Sequence, residues 1–427
     1  MTMAEPMGHR VALINLGCRV NRVETDLIAS RIEEAGCVLV DCDQAELVIV
    51  NTCAVTGEAQ VKTRKAVRRA ARMPQSPIVV ATGCAATLFS SELEKISPRV
   101  VVEPRKDRVA QRAIERLGIT NGTCSPKSHL AISPTPTGRT RPGIKIQDGC
   151  DLRCSYCIVW KARGPSRSLP SKDVLNAVRE SIGRGAHEVV LTGINLGCYR
   201  TTESDALGPN HRLEDLLECI LRETTIDRIR ISSIEPQDVT EPLLETMSNA
   251  HGRIAPFLHV CLQSGCDETL RRMGRTYTTN QFSKVVADAR RLVPDIALET
   301  DVIVGFPGET DEEFAQSLAF CERMAFSRIH AFRYSKRPGT PAAVAPCQVD
   351  PNVSAIRSQQ LRTLAERMRK RHMQERHGAV DMVLVQERGD GVDSHLLPVQ
   401  MDDELPLGSW VRARLGWQDG VLVGTTL

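Results

Sequence analysis

The stretch Asp148-Gly149-Cys150-Asp151-Leu152-Arg153-Cys154-Ser155-Tyr156-Cys157 places three thiols within eight residues, spaced C-x3-C-x2-C. Three thiolates from one short loop can wrap one side of a 4Fe-4S cube and leave the fourth iron without a protein ligand, open to a small molecule. A zinc site completed by a distant fourth ligand is the other chemistry this spacing allows.

Downstream of the loop, strand signals alternate with helical patterns: Ile144-Lys145-Ile146, Glu188-Val189-Val190-Leu191, Arg228-Ile229-Arg230-Ile231, Phe257-Leu258-His259-Val260, Leu298-Glu299-Thr300-Asp301-Val302-Ile303-Val304 and Ile329-His330-Ala331-Phe332. Six such repeats over roughly 200 residues are too few for an eight-stranded barrel, and predict a partial, open (β/α)6 barrel. Small or polar residues follow the strands, where barrel enzymes build their active sites. They are Thr192-Gly193-Ile194-Asn195, Ser232-Ser233-Ile234-Glu235-Pro236, Gln263-Ser264-Gly265, Gly305-Phe306-Pro307-Gly308-Glu309-Thr310 and Arg333-Tyr334-Ser335. The glycine-containing loop at 305–310 lacks the lysine of a Walker loop and reads as a turn.

Upstream, Val11-Ala12-Leu13-Ile14, Glu46-Leu47-Val48-Ile49-Val50 and Pro77-Ile78-Val79-Val80 read as strands, with a helix predicted over residues 24–35. This alternation predicts an open parallel α/β sheet with crossover helices. Cys18, Cys53 and Cys84 each follow one of these strands. Loops after parallel strands share one sheet edge, so three thiols distant in sequence can converge on a second metal site. Three loop cysteines without a metal are the alternative.

A Thr, Ser, Pro and Gly-rich stretch then breaks both regular structures. The predicted organisation is an amino-terminal domain over 1–122, a linker over 123–141, a barrel domain over 142–376 and a small carboxyl-terminal β domain over 377–427. A helix over 354–376 closes the barrel domain, with Leu361, Leu364 and Met368 as its apolar stripe and Arg357, Arg362, Arg367, Arg369, Lys370, Arg371 and Arg376 as its basic residues. The last segment carries short β-like pieces suited to a small antiparallel barrel.

The 427 residues are 25% charged and 41% hydrophobic, the composition of an ordinary multidomain globular protein. A net charge of +3 identifies no partner. The stretch from Lys62 to Arg72 is more informative, because it holds six basic residues and no acid. Such a helix suits a phosphate backbone, and the plainer reading is an exposed basic face. Met1-Thr2-Met3-Ala4-Glu5-Pro6 lacks an apolar signal region, and no run approaches the roughly 20 apolar residues of a membrane span. The fifteen cysteines therefore read as reduced thiols of a cytoplasmic protein without a membrane partner.

With Tyr156 just before its last cysteine, the loop resembles the radical S-adenosylmethionine (SAM) superfamily. There the open iron chelates SAM, and an electron from the cluster cleaves it to a 5′-deoxyadenosyl radical. Leu16-Gly17-Cys18-Arg19-Val20-Asn21, Glu24-Thr25-Asp26, Asn51-Thr52-Cys53-Ala54-Val55-Thr56 and Thr82-Gly83-Cys84-Ala85 resemble the amino-terminal domain of the methylthiotransferases. The resemblance spans essentially the whole chain. Its last segment resembles the RNA-binding TRAM domain, but is short and carries the acidic Asp402-Asp403-Glu404. Gly17-Cys18-Arg19-Val20-Asn21, Cys154-Ser155-Tyr156-Cys157-Ile158-Val159 and Ala162-Arg163-Gly164 look most like the subgroup that adds a methylthio group to C2 of N6-threonylcarbamoyladenosine in tRNA. The subgroups acting on isopentenyladenosine or on a ribosomal-protein aspartate are the near alternatives, and a non-catalytic zinc-holding RNA-binding protein is the alternative of a different class. Trp160-Lys161 replaces the usual proline-containing pair, and Cys261 stands where Ser or Pro is common.

The resemblance implies two 4Fe-4S clusters. One sits on the catalytic triad Cys150, Cys154 and Cys157, and the auxiliary one on Cys18, Cys53 and Cys84. It implies SAM contacts among Tyr156, Thr192, Gly193, Ser233, Glu235 and Gln263. Its implied partners are the tRNA anticodon stem-loop, SAM, an electron donor such as a flavodoxin or ferredoxin, and a sulfur donor. The other cysteines, Cys37, Cys42, Cys124, Cys198, Cys219, Cys261, Cys266, Cys321 and Cys347, read as packing residues, with Cys198 and Cys266 following strand ends.

Overall fold

The strand Leu47–Thr52 is buried at every position, as expected of a central parallel strand covered on both faces. It lies in a five-stranded parallel sheet in the order Val38–Leu39, Arg10–Asn15, Leu47–Thr52, Ile78–Gly83, Val100–Val102. One face packs Val67, Ala70 and Ala71 of the helix Gly57–Ala71. The other packs Ile28 and Ile32 of the helix Arg19–Glu34 with Ala113 and Ile114 of the helix Val109–Arg116. The helix predicted over 24–35 thus begins at Arg19, directly after Cys18, because Gly17 turns the chain with φ 103°. The computed structural model describes residues 8–119, 138–402 and 404–427. Residues 123–137 of the predicted linker, Cys124 and the first seven residues lie outside the described residues.

Parallel strands also build the central barrel. Gly143–Lys145, Glu188–Thr192 and Arg228–Ile231 form one sheet, and Ser233–Ile234, Phe257–Val260, Ala297–Val304 and Arg328–Arg333 form the next. The chain passes from one sheet to the other at Ser232, between Arg228–Ile231 and Ser233–Ile234. Its outer helices bury apolar stripes that share one core, including Val174, Leu216, Leu243, Phe282, Phe314 and Leu361. The helix Pro351–Glu375 contributes Leu361, Leu364 and Met368 to that core, as its pattern predicted.

At the carboxyl end, Val380–Glu387, Asp390–Val392, Pro398–Gln400, Trp410–Gln418 and Val421–Thr426 close into a barrel, antiparallel as predicted except where Pro398–Gln400 runs parallel to Val421–Thr426. Its docking to the core is polar and buried. Glu188 holds Arg228 at 2.5 Å and Arg230 at 2.8 Å, and these guanidiniums donate onward to the carbonyls of Met382 (3.0 Å) and Ser394 (2.9 Å) of the small barrel. Removing the barrel would strip partners from two buried cations, which makes it a structural plug whatever else it does. No helix among the described residues is long and apolar enough to cross a membrane.

Candidate metal centres and cofactor site

The triple-cysteine loop is organised by Gln147, at the end of the first barrel strand. Its Nε2 donates to the carbonyls of Asp148 (3.0 Å) and Gly149 (2.9 Å), while its Oε1 accepts from the backbone of Ile194 (3.0 Å) and Asn195 (2.8 Å). Gly149 turns the loop with φ 75°, and a side chain there would meet the Pro165 carbonyl at 1.9 Å. Gly193 is needed for a similar reason, since a Cβ would press on the Gln147 side chain at 2.9 Å. Ser155 anchors the far side by donating to the carbonyls of Met273 (2.9 Å) and Arg272 (2.8 Å).

Donors converge on the sulfurs. Arg275 Nη1 lies 3.3 Å from Cys154 Sγ, the Val159 amide 3.4 Å from Cys157 Sγ and Asn195 Nδ2 3.9 Å from Cys150 Sγ. Such donors favour sulfur that carries negative charge, as ligating thiolate does. Burial pushes the Cys157 thiol up to about 12, so metal binding must displace its proton. Arg275 also pairs with Glu235, and stands 3.5 Å from the Tyr156 hydroxyl and 3.0 Å from that of Tyr277. Burial drives the Glu235 carboxyl upward and the Arg275 cation opposes it. Tyr156 meets Phe306 edge-on at 6.4 Å.

Of the residues expected around SAM, Tyr156 and Glu235 are therefore drawn to the cysteine loop by Arg275, and Gly193 abuts it through Gln147. Gln263 holds φ 66° and ties its backbone to the next strand at Asp301 (2.8 Å) and Ile303 (2.9 Å). Thr192 and Ser233 stand on the strand ends without a side-chain hydrogen bond to the loop among the described residues. An arginine just past a helix end carries no local signal, so only the fold singles out Arg275. Asn195 is one of many polar residues after strand ends, and only the fold brings its amide toward Cys150.

Cys18, Cys53 and Cys84 meet at the carboxyl edge of the amino-terminal sheet. A side chain at Gly17 would lie 2.7 Å from Cys53 Sγ, and one at Gly83 (φ 98°) 2.3 Å from the Thr52 carbonyl, so both glycines let the loops close. Burial lifts the Cys53 thiol to about 11, and the neighbouring Cys84 and Cys18 add to that rise. Cys18 is reachable by solvent, yet surrounded by enough protein to push its thiol up.

The motif residues beside these cysteines form the joint to the barrel. Asn21 Nδ2 donates to the carbonyls of Leu16 and Thr52, both at 2.8 Å, and Asn51 Nδ2 to that of Asn21 at 2.7 Å. Buried Glu24 collects Lys106 (2.6 Å), Lys145 (2.9 Å) and Arg163, and Lys145 continues to Asp148 at 3.1 Å. Those cations hold the Glu24 carboxyl well below its usual range despite its burial. Arg163 ends the short helix Val159–Arg163 that follows Cys157, and Ala162 of that helix packs on Ala54, Cys84 and Ala85. From the last barrel strand end, Arg337 Nη1 reaches the Ala54 carbonyl at 3.3 Å and Ser335 Oγ accepts from the Gly57 amide at 2.9 Å. The two triads are thus neighbours across a buried charged seam.

Their spacing bears on the choice of metal. Tetrahedral zinc with Zn–S near 2.3 Å would hold its sulfurs about 3.8 Å apart. Among the described residues, the one group of three possible ligands whose atoms all lie within 4.8 Å contains no cysteine. Neither triad therefore holds its three sulfurs as close together as a tetrahedral zinc site does. Outside the centres, Lys62, Lys65, Arg68, Arg69 and Arg72 are exposed along one helix, with Lys62 paired to Glu58 at 2.7 Å.

Comparison with known proteins agrees with this geometry. Residues 144–321 match the radical SAM superfamily, and residues 10–103 match the uncharacterized protein family UPF0004. The threonylcarbamoyladenosine tRNA methylthiotransferase MtaB of Bacillus subtilis is 35% identical, over 88% of this chain and 85% of its own. That of Thermotoga maritima is 34% identical, over 78% and 76%. The tRNA-2-methylthio-N(6)-dimethylallyladenosine synthase of Deinococcus radiodurans is 31% identical, over 90% and 77%. Among solved structures, the radical SAM methyltransferase TsrM of Kitasatospora setae shares the fold, with a TM-score of 0.58 at 16% identity over 79% of this chain and 75% of that one. With both matched regions carrying their cysteine triads and relatives above 30% identity along most of its length, the chain belongs to the radical SAM methylthiotransferases.

Proposed function

We propose that this enzyme adds a methylthio group to C2 of N6-threonylcarbamoyladenosine beside the anticodon of tRNA. The observation that carries the reading is the pair of cysteine triads joined through Glu24, Lys145, Asp148 and Arg163, one on the barrel rim and one on the adjoining sheet edge. The choice of modified base rests on the relatives named above, of which those acting on threonylcarbamoyladenosine are the more similar. The dimethylallyladenosine enzymes support the second reading.

In this proposal Cys150, Cys154 and Cys157 hold one 4Fe-4S cluster, and Cys18, Cys53 and Cys84 the other. When bound, the first cluster and SAM supply a radical that removes a hydrogen atom, and the second supports sulfur delivery. The chain's own part is positioning. Arg275 fixes Glu235 and Tyr156 against Cys154, and Gln147 holds the cysteine loop to the turn at Gly193. Arg163 and Arg337 set positive charge beside the auxiliary thiols, favouring their ligating, anionic form. The exposed arginines and lysines of the helix Gly57–Ala71 offer a docking surface for RNA phosphates. An electron donor, such as a flavodoxin or ferredoxin, and a sulfur donor complete the reaction, which belongs in the cytoplasm with its substrate.

The decisive assay supplies anaerobically reconstituted enzyme with tRNA bearing either N6-threonylcarbamoyladenosine or isopentenyladenosine and identifies the product nucleoside. A methylthiolated product from the second substrate alone would reassign the enzyme. For the RNA surface, Lys65, Arg68 and Arg69 changed together to Ala should weaken tRNA binding and reduce the salt slope by about two to three. An unchanged slope would move the contact elsewhere.

A further inference from the structure

Apart from both triads, the barrel wall brings together His259, Asp301 and His330, whose ligand atoms all lie within 4.8 Å of one another. They come from three adjacent strands, with His259 opposite Glu299 and Asp301 opposite His330 in register. Residues 299 and 301 share one face of their strand, so the four side chains stand together.

His259 Nε2 lies 3.0 Å from Asp301 Oδ1 but out of line for a hydrogen bond, and this buried nitrogen has no other partner. Its Nδ1 faces Glu299 Oε2 at 3.8 Å, and that oxygen is 3.4 Å from His330 Nε2. The two imidazoles stack with centroids 5.3 Å apart and planes 11° from parallel. Two imidazoles and a carboxylate form the facial set that binds first-row divalent ions with positions left open. A second carboxylate behind an imidazole, as Glu299 stands to His330, is the usual means of orienting such a ligand.

Arg19 lies near both carboxylates, and Arg328 and Arg369 lie near Glu299, so a divalent ion binds here in competition with guanidinium for carboxylate charge. The side chain of His259 is 8% exposed against 26% for Asp301, so the cluster opens on the Asp301 side. There Asp301 lies within electrostatic reach of Glu235 and Cys261, at the SAM end of the barrel. The barrel thereby offers a nitrogen-rich site beside its sulfur sites.

We propose that His259, Asp301 and His330 bind one divalent transition-metal ion in the barrel wall, with Glu299 orienting His330. The test uses the full chain with its iron–sulfur clusters reconstituted, so that the cluster cysteines are occupied. The protein is incubated with Zn²⁺ and freed of excess by gel filtration, and zinc, iron and sulfide are counted in one sample. The wild type should retain about one zinc per chain and His330→Ala about none, with iron and sulfide equal in both. His330 is partly exposed, so its truncation leaves the core intact. If His330→Ala also loses iron, the near-isosteric Asp301→Asn decides on the same count. A wild type that retains no zinc, or variants that retain as much as the wild type, would overturn the proposal. Iron and sulfide report separately on the clusters.

Discussion

Cys150, Cys154 and Cys157 leave a single loop, whereas Cys18, Cys53 and Cys84 leave three loops of a parallel sheet and meet only because that sheet is folded. In the loop, closure is local and entropically cheap, and Gln147 with Gly149 sets its path. On the sheet edge, the thiols inherit their positions from buried strands and from the seam through Glu24. A local triad should therefore tolerate damage elsewhere in the fold, while a dispersed triad should register it.

The largest effects separate the triads outright. Replacing Cys150, Cys154 and Cys157 together by Ala should lower iron from about eight to about four per chain and abolish formation of 5′-deoxyadenosine. The same change at Cys18, Cys53 and Cys84 should remove a similar amount of iron, leave SAM cleavage in place and eliminate the methylthiolated product. If either set removed all the iron, the triads would not be independent sites.

Next comes the seam. Glu24→Ala leaves Lys106, Lys145 and Arg163 without their shared anion, and should cost about 3–5 kcal/mol in thermal or denaturant unfolding. Auxiliary iron should be lost before loop iron, and equal loss from both would break the contrast drawn above. The same residue sets a pH dependence. Its carboxyl is held well below the ordinary 4.5, so its contribution is fully present above that value. It fades as pH falls through 4.5 toward the lower folded value, which a comparison of wild type and Glu24→Gln unfolding from pH 7 to 3 would detect.

A smaller effect is expected within the loop's surroundings. Arg275→Lys keeps the charge but loses the fork that joins Cys154, Glu235 and Tyr156, and should slow SAM cleavage about 10–100-fold while iron content stays constant. Unaltered cleavage would reduce Arg275 to packing. The smallest effects belong to Cys198→Ser and Cys266→Ser, where iron content should not change. Iron loss in either would add a ligand to the count.

Much of this was legible in sequence because the relevant physics is local. The loop triad is a spacing, the barrel strands are apolar runs, and the long helix Pro351–Glu375 is a period of buried Leu361, Leu364 and Met368. The strands Asp390–Val392 and Pro398–Gln400 escaped notice because three residues are too short to show alternation. The helix Arg19–Glu34 starts five residues before the predicted 24–35, since Arg19, Asn21 and Arg22 interrupt the apolar pattern of Val20 and Val23.

The sequence by itself determined that six thiols divide between one short loop and three strand ends, the order of the main strands and helices, and the chemistry those thiols allow. Tertiary structure decided what surrounds them. Arg275 reaching Cys154, Arg163 joining Asn21 to Glu24, and Arg228 with Arg230 reaching the small barrel all depend on side chains brought together from distant parts of the chain. An arginine carries the same local signal whether it ends in water or against a sulfur. Only the packing of strands, which fixes neighbours far apart in sequence, distinguishes the two.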